Sequence, residues 1–345
     1  MSTAAKLPVS DFMTRLEPIG RVLEDPDYNV WCCSPILGKD GRTHLFYARW
    51  PNAADHVGWI TVSEIAHAVA DQPEGPYETT GTVLAGRGGD HWDAHTIHNP
   101  AVFKIDGGYV MYYIGNREPN VETLRTGAAF AESLDGPWER MDEPLIPGGE
   151  HPDDLDSAYA CNPVMARHPD GRYMLYYQGM SLTEWRYDIE LRQLKPGTGM
   201  VGTKANRRGL LATATDPRGP YTLYPGNPII DLNRYGNHNP QCEDPTVWFE
   251  DGKFHMLARD MGVVNHEVGL YFTSDDGIHW SDPQLGFEAM PHYIDEPPNG
   301  LDREGRMERP QVLLGADGRP THLFGAFRGG KYNTSSAFVF RIKPQ

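Results

Sequence analysis

One pattern dominates the chain. A proline opens an apolar strand, Asp-Gly follows five to seven residues later, and a second apolar strand comes after it, five times over. The openings are Ser34-Pro35, Asn99-Pro100, Asn162-Pro163, Asp244-Pro245 and Arg309-Pro310, with successive prolines 65, 63, 82 and 65 residues apart. The turns are Asp40-Gly41, Asp106-Gly107, Asp170-Gly171, Asp251-Gly252 and Asp317-Gly318. Asp-Gly suits a tight hairpin because such turns need positive φ. The second strands are expected at 44–48, 109–114, 173–178, 254–258 and 322–327. Third strands follow at 65–69, 127–131, 210–214 and 268–273. Each of these ends in a turn: Gly75-Pro76-Tyr77, Gly136-Pro137-Trp138, Gly219-Pro220-Tyr221 and Gly277-Ile278-His279-Trp280. Fourth strands are expected at 82–84, 144–146 and 228–230. Four antiparallel strands repeated radially predict an all-β fold, a five-bladed β-propeller with blades beginning near residues 31, 96, 159, 241 and 306. A β-sandwich would not need register-matched turns.

The fifth unit stops at its third strand, 336–342, and Arg21-Val22-Leu23-Glu24 resembles the fourth strands. The N-terminal strand is therefore expected to complete blade five, which removes an exposed edge. Residues 1–345 are read as one domain. The longer third interval holds an insertion near 181–208, expected as a surface loop over one face.

Formal net charge is −16, with 39 % apolar and 23 % charged residues. Such a surface repels a phosphate backbone, which argues against nucleic acid as a partner. No run is long enough to span a membrane, and the first residues lack a signal-peptide core. Cys32, Cys33, Cys161 and Cys242 show no zinc-like spacing and are expected as reduced thiols in a cytoplasmic protein. Oligomeric state is not legible.

Strand direction sorts the polar residues. Residues before the first strand and after the second share one end of the axis, and the Asp-Gly turns take the other. The first end collects Trp31, Asp93, His95, His98, Asn99, Asp156, Asn162, His238, Glu243, Asp244, Glu308 and Arg309, then Arg49, Trp50, Asp260 and Arg328, with Glu64 opening a third strand. Carboxylates and arginines bind hydroxyls and tryptophan stacks on a sugar ring, so the set suits a polyol. His95 and His98 could bind substrate or a metal ion; a third ligand is not evident and no cofactor is expected.

In its repeat and in Glu243-Asp244-Pro245, the chain resembles the five-bladed glycoside hydrolases of families 43, 32 and 117. The resemblance implies that Glu243, two residues before the blade-four proline, is the general acid. Family 43 also places an aspartate directly before the proline in blades one and three. Here those positions read as Ser34 and Asn162, so neither carboxylate carries over. Asp93 and Asp156, each six residues before an Asn-Pro, are the candidate bases, and Asp244 is the rival for the acid. The resemblance implies a glycoside hydrolase on a small or oligomeric carbohydrate, exo-acting and inverting. The alternatives are a glycoside phosphorylase and a sugar-binding propeller without catalysis.

Overall fold

In a computed structural model, residues 6–187, 207–235, 241–296, 300–301 and 303–344 are described. After a short helix, α1 (Asp11–Thr14), strand β1 (Leu16–Leu23) leads into the first blade. Blade one is β2 (Tyr28–Leu37), β3 (Thr43–Pro51), β4 (Glu64–Ala70) and β5 (Glu78–Leu84). Blade two is β6 (Thr96–Ile105), β7 (Gly108–Asn116), β8 (Arg125–Ala131) and β9 (Glu139–Arg140). Blade three is β10 (Tyr159–Arg167), β11 (Tyr173–Met180), β12 (Arg208–Ala214) and β13 (Thr222–Leu223). Blade four is β14 (Cys242–Glu250), β15 (Lys253–Asp260), β16 (Gly269–Ser274) and β17 (Gln284–Phe287). Blade five is β18 (Met307–Leu314), β19 (Pro320–Gly329) and β20 (Thr334–Ile342), completed by β1. Every sheet is four-stranded and antiparallel, with the first strand innermost; the fold is a five-bladed β-propeller.

The closure is as expected. β1 pairs with β20, Arg21 opposite Phe338 and Leu23 opposite Ala337. The same segment reaches blade four, where the Leu285 amide donates to the Pro8 carbonyl at 2.8 Å. Two fourth strands differ from expectation. In blades two and three, residues 144–146 and 228–230 make only single bridges, Thr126 to Ile146 and Gly209 to Ile230. The paired fourth strands there are β9 and β13, nearer the Gly-Pro turn, and a looped-out stretch separates them from those bridges.

The blades adhere through apolar clusters, one at each of the five junctions. Val102, Met111 and Tyr113 meet Phe46 and Ile65 between blades one and two. Phe254, Met256 and Phe272 meet Val164 and Tyr176 between blades three and four. Leu23 and Val339 meet Leu45 and Tyr47 where the ring closes. Each fully buried large side chain contributes about 1.5–3 kcal/mol. Alternation along the strands supplies these faces, because residues of one sheet point by turns to either neighbouring blade. Among the described residues, no helix is long and apolar enough to cross a membrane.

The register corrects the blade-one repeat. In blades two to five the ladder breaks around the residue before proline, between His98 and Ala101, Cys161 and Val164, Glu243 and Thr246, and Glu308 and Gln311. In blade one the break lies between Trp31 and Ser34. The equivalent of Asn99, Asn162, Asp244 and Arg309 is therefore Cys32, not Ser34. All five share a left-handed backbone, with φ of 55° at Cys32, 53° at Asn99, 55° at Asn162, 59° at Asp244 and 54° at Arg309. Each is a bulge, two residues opposite one, which turns a side chain out of the ladder toward the axis.

Candidate active site at the propeller axis

The bulges build the floor of the axial pocket. Cys32 bonds to Asn99 Oδ1. Asn99 Nδ2 donates to Asn162 Oδ1 at 2.5 Å, and Asn162 Nδ2 to Asp244 Oδ1 at 2.9 Å. Asp244 Oδ2 accepts the Arg309 backbone N–H at 3.2 Å, and Arg309 Nη1 lies 3.4 Å from Asp244 Oδ1. One residue per blade thus joins a hydrogen-bonded chain from Cys32 to Arg309. Left-handed backbone costs a non-glycine residue roughly 1–2 kcal/mol. Asn and Asp tolerate it best; Cys and Arg do not, and such strain gathers at functional sites.

Above the floor lies a cavity of about 490 Å³. The residue before each bulge lines it: Trp31, His98, Cys161, Glu243 and Glu308. Trp59 and Trp185 add aromatic walls. His56 and Trp59 flank Gly58 in the short segment between β3 and β4. A Cβ on Gly58 would fall 2.0 Å from Trp50 Cδ1, so this glycine lets the segment lie on Trp50. A larger open groove of about 940 Å³, lined by Asp106, Gly107, Glu132 and Arg218, sits beside the Asp106-Gly107 hairpin and lacks the axial carboxylates.

The three pocket carboxyl groups sit in opposed electrostatic settings. Burial would push Glu243 up, but Arg207, its Nε 2.5 Å from Oε1, and Arg259, bonded to Oε2, outweigh it and hold the carboxyl below its ordinary range. Burial likewise acts on Glu308, and Arg259 with Arg303 at 3.2 Å again wins, leaving it low. For Asp244 burial prevails. Arg309 and Arg259 oppose it, Glu243 and Glu308 add to it, and the carboxyl is pushed up. Such a split separates an acid from a base within one site. His98 is buried between Ser63, whose Oγ is 2.8 Å from Nδ1, and Cys32, 3.6 Å from Nε2. Burial, with Arg309 and His56, pushes it well below its ordinary value, so it is a neutral imidazole.

Of the residues picked from sequence, Trp31, His98, Asn99, Asn162, Glu243, Asp244, Glu308 and Arg309 meet at this cavity. Others do not line it. Asp93 is fully buried, with Arg87 Nε at 2.5 Å, Tyr113 Oη at 3.0 Å and Arg140 at 3.4 Å. Asp156 accepts from Tyr177 Oη at 2.8 Å and from the Gly149 amide at 2.9 Å. The two are equivalent, as expected, but as clamps on the second strand rather than as pocket groups. Arg49 pairs with Glu64 at 2.8 Å and reaches Thr82 on β5, away from the axis. Asp260 spends its carboxylate on the amides of Gly262, Val263, Val264 and Asn265. Trp50 donates to the Asp55 carbonyl at 2.6 Å and packs behind Trp31 and His98. Arg328 is buried beside Asp55 at 3.4 Å, and His95 is exposed. His238 lies outside the described residues. Among those described, the group close enough to share an ion is His44 and His67 of blade one with Asp135 of the turn between β8 and β9 in blade two; His95 and His98 do not take part.

Sequence reasoning missed His56, Trp59, Trp185, Arg207, His266, Arg303 and Arg306, all of which line the cavity. They come from connections with no internal repeat. The one available signal was their position after a second strand or before a first, the rule that found the others.

No protein-family model matches the chain, and no curated protein is similar to it in sequence. Solved structures are similar throughout. A family 117 glycoside hydrolase of the marine bacterium Zobellia galactanivorans superposes with a TM-score of 0.66 at 17 % identity, over 98 % of this chain and 89 % of that one. A family 43 β-xylosidase/α-arabinofuranosidase from a compost metagenome, bound to xylotriose, gives 0.57 at 15 %, over 94 % and 93 %. An endo-arabinase of Bacteroides thetaiotaomicron gives 0.57 at 12 %, over 99 % of both chains. At these identities the likeness shows the fold: the five-bladed propeller that these glycoside hydrolases share.

Proposed function

We propose that the chain is a glycoside hydrolase that cleaves small or oligomeric carbohydrates in the axial pocket, acting on chain ends and with inversion. The observation that carries this reading is geometric: Glu243, Asp244 and Glu308 meet in one axial cavity, Glu243 gripped by both Arg207 and Arg259 while Asp244 lies beside Arg309 and next to Glu243 in the chain. Glycoside cleavage needs one carboxyl group protonated, to donate to the leaving oxygen, and another ionised, to activate water. In this reading Asp244 is the acid, and Glu243 or Glu308, kept charged by arginines, is the base. The role that family resemblance would give Glu243 thus passes to its neighbour, because two guanidinium groups oppose its protonation. The faces of Trp31 and Trp59 suit a sugar ring. A walled cavity of this size, about 490 Å³, favours the end of a chain over its middle. The neighbours named above, which include hydrolases of xylosides and arabinans, give this reading its prior.

We place the enzyme in a reducing compartment, with its residues acting as one domain. Cys32, Cys33, Cys161 and Cys242 are all buried and unbridged. A second reading, phosphorolysis, is favoured by the arginines of the pocket. There the C1–O bond to the leaving group breaks, phosphate oxygen bonds to C1, and the leaving oxygen takes a proton.

Incubation with a panel of oligosaccharides and aryl glycosides, with and without inorganic phosphate, tests both readings by proton NMR. Hydrolysis gives free sugar without phosphate, its first anomer opposite to the substrate's. Release only with phosphate moves the assignment to phosphorolysis, and binding without turnover moves it to a non-catalytic sugar-binding propeller.

A further inference from the structure

The axial pocket opposes the charge of the molecule around it. The chain carries −16, yet the described residues lining the pocket include Arg207, Arg259, Arg303, Arg306 and Arg309 against Glu243, Asp244 and Glu308. A neutral sugar needs donors and acceptors in balance. Guanidinium groups gathered in one cavity, with Arg259 and Arg309 held out of bulk water, match an oxyanion, which the planar fork grips with two parallel hydrogen bonds.

One guanidinium of the lining has an edge left unpaired. Arg309 is 2 % exposed and its Nη1 faces Asp244, but Nε and Nη2 are buried with no hydrogen-bond partner. Those two nitrogens carry the N–H groups of a single edge, the edge that a carboxylate, sulfate or phosphate matches. Arg207, paired with Glu243 in the same cavity, leaves its own Nη1 without a partner. Buried polar groups are almost always satisfied, so unpaired donors on two arginines of one cavity point to a ligand that pairs them.

We propose that Arg309, with Arg207, forms an oxyanion subsite in the axial pocket, so that its ligand is either a carbohydrate bearing a carboxylate or sulfate group or a sugar bound beside free phosphate. The proposal takes from the reading above only that the pocket holds sugar. The two sources share one chemistry and differ in where the anion is attached.

Calorimetric titration of the whole chain at matched ionic strength separates them. The probes are inorganic phosphate, inorganic sulfate, glucuronate and galacturonate, with glucose and galactose as neutral controls. At least one oxyanion should bind about tenfold or more tightly than the neutral sugars, and Arg309→Gln should weaken it by about tenfold or more. Arg207→Gln, at the less buried position, should weaken it in the same direction and keeps the test open if Arg309→Gln does not fold. Tight uronate with weak phosphate places the anion on the sugar; the reverse makes it phosphate. Neutral sugars binding as well as every oxyanion, or oxyanion binding unchanged in the folded variants, overturns the subsite. Because the readout is binding, its failure leaves hydrolysis of neutral glycosides standing. A chain that binds oxyanions but cleaves no glycoside loses the hydrolase reading alone.

Discussion

At the residue scale, one kind of side chain does different work according to how far from the axis it sits. Asp244 and Asp93 are both buried aspartates beside arginines. Asp244 lines the cavity among like charges, whereas Asp93 is enclosed by Arg87, Arg140 and Tyr113. Asp93→Asn should therefore act on stability. Breaking a buried ion pair from one side costs roughly 3–5 kcal/mol, so the melting temperature should fall while ligand affinity of the folded fraction stays near normal. An unchanged melt with lost binding would return Asp93 to the site. His67 gives a second residue-level test. Burial, helped by the neighbouring His44, lowers its pKa to about 4, whereas the unfolded chain protonates near the ordinary 6.5. The unfolded state thus binds the extra proton between those values. The stability this neutral imidazole contributes is present above about pH 6.5 and is lost as pH falls toward 4. Urea midpoints across that window should drop with acid, and His67→Gln should flatten the slope; an unaltered slope contradicts the assignment.

At the element scale, the connections carry what the strands do not. The segment joining β3 and β4 brings His56 and Trp59 to the cavity because Gly58 lets it rest on Trp50. Gly58→Ala forces a shift there, and overpacking of this kind costs about 1–3 kcal/mol. It should raise KM more than it lowers kcat, since it displaces a wall and leaves the carboxyl groups in place. Equal KM in the folded variant would show that Trp59 does not meet substrate. Strand β1 is the other decisive element. Removing residues 1–26 takes away the buried side chains of Phe12 and Leu23, each worth about 1.5–3 kcal/mol, and opens an edge on β20. The truncated chain should melt well below the full one; coincident melts would refute the closure.

At the scale of the whole molecule, the repeat was legible in sequence because each Asp-Gly turn has a backbone requirement that few residues meet. Blade one shows the limit. Its bulge falls on Cys32, followed by Cys33 instead of proline, while Ser34-Pro35 supplies a false match two residues on. Strand direction told which end of the axis a residue occupies, and it placed Trp31, His98, Glu243 and Arg309 correctly. It could not give radial distance, so Asp93, Asp156, Asp260 and the Arg49–Glu64 pair were drawn in with them. The arginines at 207, 303 and 306 sit in irregular connections, where no period marks them.

The role of Asp244 as the proton donor is tested most directly by the dependence of turnover on the leaving group. Turnover of an unactivated oligosaccharide and of aryl glycosides with increasingly acidic phenols should be measured for the wild type, Asp244→Asn and Glu243→Gln. General acid catalysis is worth about 10²–10⁴-fold, so Asp244→Asn should lose roughly that on the oligosaccharide and far less on the best aryl leaving groups. Glu243→Gln should instead lose activity on all substrates alike if Glu243 is the base, or keep most of it if Glu308 is. Near-normal turnover in Asp244→Asn, with the leaving-group pattern appearing in Glu243→Gln, would contradict the account and return the acid to Glu243.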